Sequence, residues 1–305
     1  MTKLIIRRLL EAIPVLLVIV TITFFMVRLA PGGPFDDEKS VSEEVQAQLD
    51  AYYHLDEPLR TQYFRYLGGL LKGDLGPSFK YSSRSVNEFI QLGFPVSLEL
   101  GLYGLVVALV FGLLAGTMAA MRPNTLRDYV PMSFAMLGIC VPNFVLGPLL
   151  VLVFGLWLGW LPVSGWDEPQ DKILPALTLG AMYAAYIARL TRGGMLEILS
   201  NDFIRTARAK GLTERRILWR HALRGGIAPV VAYLGPMTAY LVSGSFVVET
   251  IFQIPGLGRF FIEAAFNRDY TLILGLVVFY ATIIVLLNLV SDLVQVWLDP
   301  RLRNA

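Results

Sequence analysis

Residues 271–297 have the sequence TLILGLVVFYATIIVLLNLVSDLVQVW, in which Asp292 is the only charged residue. A helix rises about 1.5 Å per residue, so about 20 apolar residues cross the roughly 30 Å hydrocarbon core of a bilayer. Working outward from this stretch, comparable apolar runs occur near residues 9–29, 95–121, 130–160, 173–189 and 228–248. The sequence therefore predicts an all-α integral membrane protein with about six transmembrane helices.

The composition excludes a soluble globular protein. Hydrophobic residues make up 55% of the chain and charged residues 16%, whereas soluble domains contain roughly 45–50% and about 25%, respectively. The net charge of +2 is spread over many loops, so no basic stripe is available for a nucleic acid. Cys140 is the only cysteine, which excludes an intrachain disulfide and a C-x-x-C metal or redox site.

The positions of lysine and arginine predict the topology. They are concentrated before the first apolar run, between the second and third, between the fourth and fifth, and after the last. Because cytoplasmic loops carry the excess of these residues, we expect both termini in the cytoplasm. The loops at 30–94, 161–172 and 249–270 are then external. A secretory signal is the alternative for the N-terminus, but its apolar run is long enough to span and lacks an A-x-A cleavage pattern.

Three segments follow from this topology. Residues 1–30 form an N-terminal cytoplasmic segment and the first transmembrane helix, and residues 31–94 form an external insertion. Residues 95–305 form a transmembrane core, which contains a cytoplasmic loop at 190–227. The insertion is too long for a simple connection between two spans.

The external insertion contains helical signals. Leucines and tyrosines recur at helical spacing from residue 59 onward, and Ser85 with Glu88 forms a capping-box pattern ahead of the second apolar run. We predict folded helices around 42–53 and 58–72. A disordered tether is the alternative, but disordered segments contain fewer tyrosines and leucines.

Ionisable residues near the middle of the bilayer and common catalytic motifs are absent from the sequence, and this narrows the range of possible functions. Glu99 lies about one turn inside the second apolar run and Asp292 lies late in the last, and neither is near the middle of the bilayer. Proton-coupled and ion-coupled carriers place ionisable groups at that depth, so a secondary carrier is disfavoured. The sequence contains no G-x-x-x-x-G-K-[ST], H-E-x-x-H or G-x-S-x-G pattern. We therefore predict no catalytic residue, no metal site and no cofactor on this chain.

Proline and glycine interrupt two of the apolar runs. Pro142 and Pro148 lie in the third run, and Gly235-Pro236 lies in the fifth. Broken helices leave backbone carbonyls free, and these are tolerated only against protein or a water-filled cavity. The predicted pathway residues are Pro142, Asn143, Gly235 and Pro236. Kinks that serve packing alone are the alternative, since proline is common in membrane helices.

The segment 201–223, NDFIRTARAKGLTERRILWRHAL, predicts two short helices around a glycine. Asn201 or Asp202 is expected to cap the first helix, and Gly211 to end it. The predicted apolar faces consist of Phe203, Ile204 and Ala207 on the first helix and of Ile217 and Leu218 on the second. The arginines between them either remain in water or meet an acidic partner. A solvated basic loop that only reflects the topology is the alternative.

This segment resembles the EAA loop of type I ABC importer permeases, in which E-A-A, a glycine and a final hydrophobic-L-P recur at fixed spacing. Arg205-Thr206-Ala207, Gly211 and His221-Ala222-Leu223 fall at those positions. Arg205 replaces the glutamate and Arg224 replaces the proline, and both departures match the peptide/nickel branch of the family. Further motifs of that branch follow in order: Arg7-Arg8, Ala30-Pro31-Gly32, Gly73-Asp74-Leu75-Gly76-Pro77-Ser78, Phe94-Pro95-Val96-Ser97, Ile187-Ala188-Arg189-Leu190-Thr191-Arg192, Val248-Glu249-Thr250-Ile251-Phe252, Pro255-Gly256-Leu257-Gly258, Asn267-Arg268-Asp269-Tyr270 and Asp299-Pro300.

The resemblance implies the type I ABC importer permease fold and a multi-pass subunit of a bacterial plasma (inner) membrane that moves oligopeptides into the cytoplasm. The implied partners are a second homologous permease, two ATPase subunits that bind ATP and Mg²⁺, and an extracytoplasmic peptide-binding protein. The implied ATPase-coupling residues are Arg205, Thr206, Ala207, Arg208, Ala209, Lys210, Gly211 and Leu212. Import of dipeptides, nickel or glutathione by the same family is one alternative. A secondary carrier and a membrane scaffold without transport are the others, and the coupling-loop motif disfavours both.

Overall fold

The computed structural model describes residues 2–29, 43–81, 83–243 and 245–298. Fourteen α-helices lie in these ranges, together with one isolated antiparallel bridge between Pro77 and Ser85. The helices are α1 (Thr2–Arg28), α2 (Glu43–Tyr52), α3 (Leu59–Leu71), α4 (Val86–Met121), α5 (Leu126–Cys140), α6 (Asn143–Leu150), α7 (Ile173–Leu199), α8 (Asp202–Ala209), α9 (Glu214–Ile217), α10 (Leu223–Gly226), α11 (Ala228–Val242), α12 (Phe246–Ile251), α13 (Leu257–Phe266) and α14 (Tyr270–Leu298). The motifs Ala30-Pro31-Gly32 and Asp299-Pro300 lie outside the described residues.

The all-α prediction and the predicted number of spans are confirmed. Five helices are long and apolar enough to cross a membrane, and a sixth span results if one bent helix pair is counted as a span. The five are Ile5–Arg28, Val86–Met121, Pro169–Leu199, Ala228–Ile251 and Tyr270–Val294, and the pair is Leu126–Cys140 with Asn143–Trp157. Helices suit this environment because each one satisfies its own backbone hydrogen bonds without water.

The third predicted span, 130–160, is not one continuous helix. The chain bends by 113° between α5 and α6. The cause is Pro142, which has no N–H to donate and holds Val141 in an extended conformation with φ −96° and ψ 113°. Beyond α6 the chain continues as a π-helical segment, Val151–Trp157. The predicted interruption of this run at Pro142 is therefore confirmed.

The helix α7 continues beyond the predicted end of the fourth span. The prediction placed residues 190–199 in a cytoplasmic loop, but they form the last turns of α7, which ends at Leu199. Thr191, Gly194 and Met195 are buried in this part of the helix. The predicted end of the span is the end of the apolar run. The helix itself continues further, because tertiary packing stabilises its last turns.

One compact unit consists of residues 1–96 and 255–285. Its main core joins α4, α13 and α14 through the buried residues Val86, Phe89, Ile90, Leu257, Ala264, Leu272 and Leu276. The helices α2 and α3 occupy the positions predicted at 42–53 and 58–72. Folded helices are thus confirmed in the described part of the insertion, where a disordered tether was the alternative.

Aromatic packing and a helix cap hold the insertion to this unit. Phe79 packs edge-on against Tyr53 and Tyr270, with ring centroids 4.8 and 6.5 Å apart. The N–H of Glu88 donates to Ser85 Oγ at 3.3 Å, so Ser85 caps the start of α4 as predicted.

A second compact unit consists of residues 97–254 and the chain from 286 onward. Within it, α7 packs against α5, α6, α10, α11 and α12. Small residues allow the close approach of neighbouring helices: a Cβ on Gly112 or Gly116 of α4 would overlap atoms of α7, including Ile187 in the first case. Close backbone contact at small residues is typical of membrane helices, whose association depends on van der Waals packing.

Candidate coupling segment and pathway residues

The predicted helix pair around Gly211 is present. The helix α8 begins after Asn201, α9 ends at Ile217, and four residues from Lys210 to Thr213 connect the two helices. Asn201 occupies the cap position of α8 with φ −72° and ψ 151°, although no side-chain capping hydrogen bond is formed. We refer to residues 201–217 as the hairpin.

Gly211 ends α8 in a Schellman motif. Its φ of +78° lies in the left-handed region, which disfavours residues that have a Cβ. The N–H of Gly211 donates to the carbonyl of Arg208 at 2.9 Å, and the N–H of Leu212 donates to the carbonyl of Ala207 at 3.2 Å. These two bonds define the motif, and Leu212 adds the apolar contact that usually accompanies it. The prediction that Gly211 ends the first helix is confirmed.

A small apolar core holds the hairpin together. Ile204, Ala207 and Ile217 form one buried cluster, and Ile198 from the end of α7 packs against it. Phe203, the third residue of the predicted apolar face of α8, is half exposed and is not part of this buried cluster. Residues four positions apart differ by about 40° around a helix, so Phe203 lies beside Ala207 on the side away from Ile204 and outside the buried cluster.

One ion pair joins the two helices of the hairpin. Arg208 Nε donates to Glu214 Oε1 at 2.7 Å, and Arg208 Nη2 donates to Glu214 Oε2 at 3.3 Å. This hydrogen bonding lowers the pKa of Glu214 and raises the pKa of Arg208. Both side chains are largely exposed, so the pair orients the two helices and contributes little to stability.

The opposite side of α8 is exposed and basic. The Arg205 side chain is 75% exposed and donates to Asp202 Oδ1 at 3.2 Å. The predicted coupling residues are therefore divided between two surfaces, with Ala207 directed into the hairpin core. We use the term outer face for the exposed residues Phe203, Arg205, Thr206, Ala209 and Lys210.

The hairpin is packed onto the ends of two membrane-crossing helices. Ile198 of α7 packs against the hairpin core and also against a second buried cluster. The second cluster consists of Ala120 at the end of α4, Met195 of α7, Leu218 and Ala222. The hairpin core and the ends of α4 and α7 are therefore joined by continuous apolar packing.

Only one of the two predicted helix interruptions is present. Pro142 and Asn143 stand at the bend between α5 and α6, where Pro142 is exposed and Asn143 is half-buried. Pro236 lies inside the continuous helix α11, so the predicted break in the fifth span is wrong. Gly235 serves packing, because a Cβ there would overlap the side chain of Ser291 on α14. A pathway role stays a prediction for all four residues, and for Gly235 the packing contact is a sufficient explanation.

Two family models match almost the whole chain. The model described as the binding-protein-dependent transport system inner membrane component matches residues 109–304. The model of the N-terminal part of the same membrane components matches residues 1–100. The chain belongs to this family of ABC importer permeases.

Known relatives match the permease along its entire length. The oligopeptide transport system permease protein OppB of Haemophilus influenzae is 48% identical over 305 residues, which cover 99% of this chain and 100% of that protein. OppB of Escherichia coli K12 has the same identity and coverage. The dipeptide transport system permease protein DppB of Bacillus subtilis is 45% identical over 99% of this chain and 98% of that protein.

Solved structures confirm the predicted type I permease fold. The permease resembles a chain of an amino acid ABC transporter solved with histidines, with a TM-score of 0.53, 18% identity, and coverage of 68% of this chain and 94% of that chain. It also resembles a chain of the inward-facing MetNI methionine ABC transporter, with a TM-score of 0.53, 17% identity, and coverage of 68% and 92%. At these identities the likeness concerns the fold alone.

The permease contains a buried ion pair that the sequence analysis missed. Arg192 of α7 binds Asp128 of α5 through two parallel hydrogen bonds, Nε to Oδ1 and Nη2 to Oδ2, each 2.7 Å long. Asp128 is only 2% exposed, and its Oδ2 also accepts the N–H of Asn124 at 2.9 Å. An acidic residue within a stretch otherwise rich in arginine is the signal that could have identified it.

A second ion pair connects α4 to the start of α7. Lys172 Nζ lies 2.6 Å from Glu99 Oε1, and Trp166 Nε1 donates to Glu99 Oε2 at 3.2 Å. The Lys172 ammonium also lies 5.2 Å from the centre of the Trp166 ring, within the range of a cation–π interaction. The charge of Glu99 is therefore balanced by Lys172, which agrees with the prediction that Glu99 does not carry protons across the membrane.

Two of the family motifs meet inside the second unit. Ser97 Oγ donates to Glu249 Oε1 at 2.9 Å, and both residues are fully buried. Ser97 ends the motif that begins at Phe94, and Glu249 belongs to the motif that begins at Val248. Neither motif alone indicates this contact, because the two residues are far apart in sequence.

Proposed function

We propose that this chain is the oligopeptide-importing permease subunit of an ABC transporter, with the same role as the OppB proteins. The observation that carries the proposal is the 48% identity to OppB proteins over the full length of both chains. The proposal includes four partners: a second homologous permease, a pair of ATPase subunits and an extracytoplasmic peptide-binding protein. The substrate passes between the two permeases.

The outer face of α8 is the proposed contact with an ATPase subunit. It is exposed, carries the cations Arg205 and Lys210, and includes the aromatic side chain of Phe203. Exposed aromatic and arginine side chains are typical of the residues that dominate protein–protein contacts. ATP and Mg²⁺ bind to the ATPase subunits, and this chain contributes no catalytic group.

The hairpin then works as a lever. Closure of the ATPase subunits moves α8, and the shared packing of Ile198 passes the movement to the ends of α4 and α7. Packed cores move between discrete arrangements, so a small displacement of α8 favours an inward-open or an outward-open pathway. Pro142 and Asn143, at the bend between α5 and α6, are the proposed pathway residues.

The proposed topology has both termini in the cytoplasm of a bacterial inner membrane. The segments rich in lysine and arginine, including the hairpin, then face the cytoplasm. The insertion with α2 and α3 lies on the opposite side, where a binding protein delivers peptide.

A dipeptide is the second candidate substrate, because DppB of Bacillus subtilis is 45% identical over 99% of this chain. Uptake of labelled dipeptide, tripeptide and pentapeptide into a strain that lacks the gene, with and without the gene restored, tests both candidates. The proposal expects restored uptake of the pentapeptide. Restored uptake of the dipeptide alone favours the second candidate, and no restoration with any peptide contradicts both.

A further inference from the structure

A cavity of about 530 Å³ lies within the unit formed by residues 1–96 and 255–285. Its walls come from the end of α1, from α3 with the turns that flank it, and from the start of α14. The residues used below are Phe24, Arg28, Gln62, Tyr66, Lys72 and Phe79. Neither the coupling hairpin nor the pathway candidates contribute to it.

Arg28 is the main cation of this cavity. Its guanidinium carbon lies 5.5 Å from the ring centre of Phe24 and 5.7 Å from that of Phe79, so two aromatic rings hold the group in place. Arg28 makes no ion pair with any residue that the structure describes, and its Nε is buried without a hydrogen-bond partner there. A buried donor on a charged group is costly to leave unbonded, so the described part of this site lacks an acceptor.

Two further polar atoms of the cavity residues are buried without partners in the described part of the chain. They are the hydroxyl of Tyr66 and Oε1 of Gln62. Burial raises the pKa of the Tyr66 phenol, so the hydroxyl stays protonated and remains a donor. Gln62 is 7% exposed, and its Nε2 donates to the carbonyls of Leu55 and Glu57. The amide is thereby fixed, and its oxygen is left to accept.

The charges on the cavity wall favour an anion. Arg65 is neutralised by Glu57, whose Oε1 lies 2.7 Å from Arg65 Nη2. Lys72 has no ion-pair partner among the described residues. Asp74 is the one carboxylate among the wall residues that the structure describes, and its Oδ1 accepts the N–H of Gly76. Two cations, Arg28 and Lys72, therefore face one partly occupied carboxylate.

The position of the cavity along the spans suggests the source of the anion. Arg28 is the last residue of the span Ile5–Arg28, and Thr271 is the second residue of the span Tyr270–Val294. Both helices therefore leave the hydrocarbon region where the cavity is built. Tyrosines concentrate at this level, and it is also the level of lipid phosphates. Arginine binds phosphate through two parallel hydrogen bonds, which matches the unused donors of Arg28.

We propose that this cavity binds a phosphate group, supplied by the headgroup of a membrane phospholipid. Arg28 and Lys72 provide the positive charge, the Tyr66 hydroxyl donates a hydrogen bond, and Gln62 Oε1 accepts one from a headgroup hydroxyl or ammonium. The bound lipid would tie α3 to the ends of α1 and α14. The proposal does not depend on the transported substrate.

The test uses the assembled, delipidated transporter and titrates it with dioctanoylphosphatidylglycerol, with binding followed by native mass spectrometry. We expect one high-affinity lipid at this site. Arg28→Gln should weaken its binding by about tenfold or more, and Tyr66→Phe by about fivefold. Arg60→Gln, an exposed change on the same helix α3 outside the cavity, is the matched control and should leave the affinity unchanged. Unchanged thermal unfolding midpoints in all variants verify that the unit is folded.

Three probes identify what the site recognises. Dioctanoylglycerol, which lacks phosphate, should bind at least tenfold more weakly, and equal binding would overturn the proposal. If inorganic phosphate binds as tightly as the lipid and this binding requires Arg28, the bound phosphate group does not have to come from a lipid headgroup, and that part of the proposal is overturned. Displacement of the lipid by a tripeptide at equal concentration would overturn the proposal in favour of a peptide carboxylate. Equal lipid affinity in wild type and Arg28→Gln would overturn it as well.

Discussion

The hydroxyl of Ser78 donates a hydrogen bond to the carboxylate of Asp269, which lies 191 residues further along the chain. Asp269 Oδ1 also accepts the N–H of Phe79 and the N–H of Leu272, each at 3.1 Å. Ser78 and Asp269 are both fully buried. One carboxylate therefore caps the start of α14 and closes the loop that precedes α4, which joins two family motifs at a single point.

Replacing Asp269 should destabilise the unit that contains the insertion. Asp269→Ala leaves several buried donors without an acceptor, so we expect the free energy of unfolding to fall by about 2–4 kcal/mol. Ser78→Ala removes one of those donors and should cost about 1–2 kcal/mol. Thermal unfolding of the purified transporter, with limited proteolysis of the 72–85 loop, measures both effects.

Asp56→Ala is the control for this pair, because Asp56 is an exposed aspartate of the same unit. It should leave the unfolding midpoint and the proteolysis rate unchanged. Equal midpoints for Asp269→Ala and Asp56→Ala would contradict the role assigned to Asp269.

Gly211 should tolerate asparagine and reject valine. A Cβ at this position would have no neighbour within 4 Å, so the restriction comes only from the φ of +78°. A β-branched residue in the left-handed region costs about 1–2 kcal/mol or more, whereas asparagine adopts it readily. Gly211→Asn should therefore keep binding-protein-stimulated ATP hydrolysis near the wild-type rate, and Gly211→Val should reduce it severalfold.

A matched control is available in α7. Gly193 also has no neighbour within 4 Å of a Cβ, but it lies inside a helix, so Gly193→Ala should be silent. If Gly211→Val stimulates normally, the turn geometry of the hairpin has no part in coupling.

Substitutions in the hairpin core and on the outer face of α8 should have different effects. Ala207 is one of the implied ATPase-coupling residues, but it is 7% exposed within this chain, so Ala207→Arg breaks the hairpin core. Phe203→Ala and Arg205→Ala act on the outer face, where the side chains are exposed. We expect Ala207→Arg to make the hairpin sensitive to protease. The outer-face variants should leave it resistant and lower the amount of ATPase that co-purifies.

Glu197→Ala serves as a surface control at the end of α7, since its substitution changes neither the hairpin core nor the outer face. Protease resistance and full ATPase co-purification in Ala207→Arg would show that the core assignment is wrong. Full co-purification of the ATPase with the double variant Phe203→Ala/Arg205→Ala would show that the outer face is not the ATPase contact.

The Asp128–Arg192 pair should show strong energetic coupling. Asp128 is 2% exposed and the Arg192 side chain 29%, so removal of either partner leaves a poorly solvated charge. Asp128→Asn or Arg192→Gln should each destabilise the transporter by about 3 kcal/mol. The double variant should lose less than the sum of the two losses. Additive losses in the unfolding midpoint would mean that the bidentate bond does not hold α5 to α7.

Cysteine labelling tests the topology. In a Cys140→Ala background, Ser40→Cys and Thr213→Cys should react with membrane-impermeant maleimide from opposite sides of the membrane. Ser40 lies outside the described residues, and Thr213 is exposed in the hairpin. Labelling of both positions from the same side would contradict the positive-inside assignment.

Local sequence rules predicted the features that depend on local chemistry. Span lengths, the break at Pro142 and the end of α8 at Gly211 follow from hydrophobic run length, a missing N–H and a positive φ, all of which belong to one short stretch. Pro236 shows the limit of such rules, because it has the same chemistry as Pro142 and yet lies within a continuous helix.

Features that depend on distant contacts could not be predicted. The burial of Ala207 is determined by its distance from Ile217 across the hairpin, and Gly235 is required by the approach of Ser291. The partner of Asp128 lies on α7, and Ser78, the partner of Asp269, lies in the loop that precedes α4. Apolar periodicity indicates which residues are buried, but a single sequence does not reveal which helix lies opposite.

The most direct test of the central claim is the number of peptides imported per ATP hydrolysed. The assembled transporter would be reconstituted in proteoliposomes with binding protein and labelled pentapeptide, as wild type and as the outer-face variant Phe203→Ala/Arg205→Ala. If the hairpin couples ATP hydrolysis to peptide import, uptake in the wild type requires ATP, and the ratio falls severalfold in the variant. An unchanged ratio, or uptake driven by an ion gradient without ATP, would contradict the account.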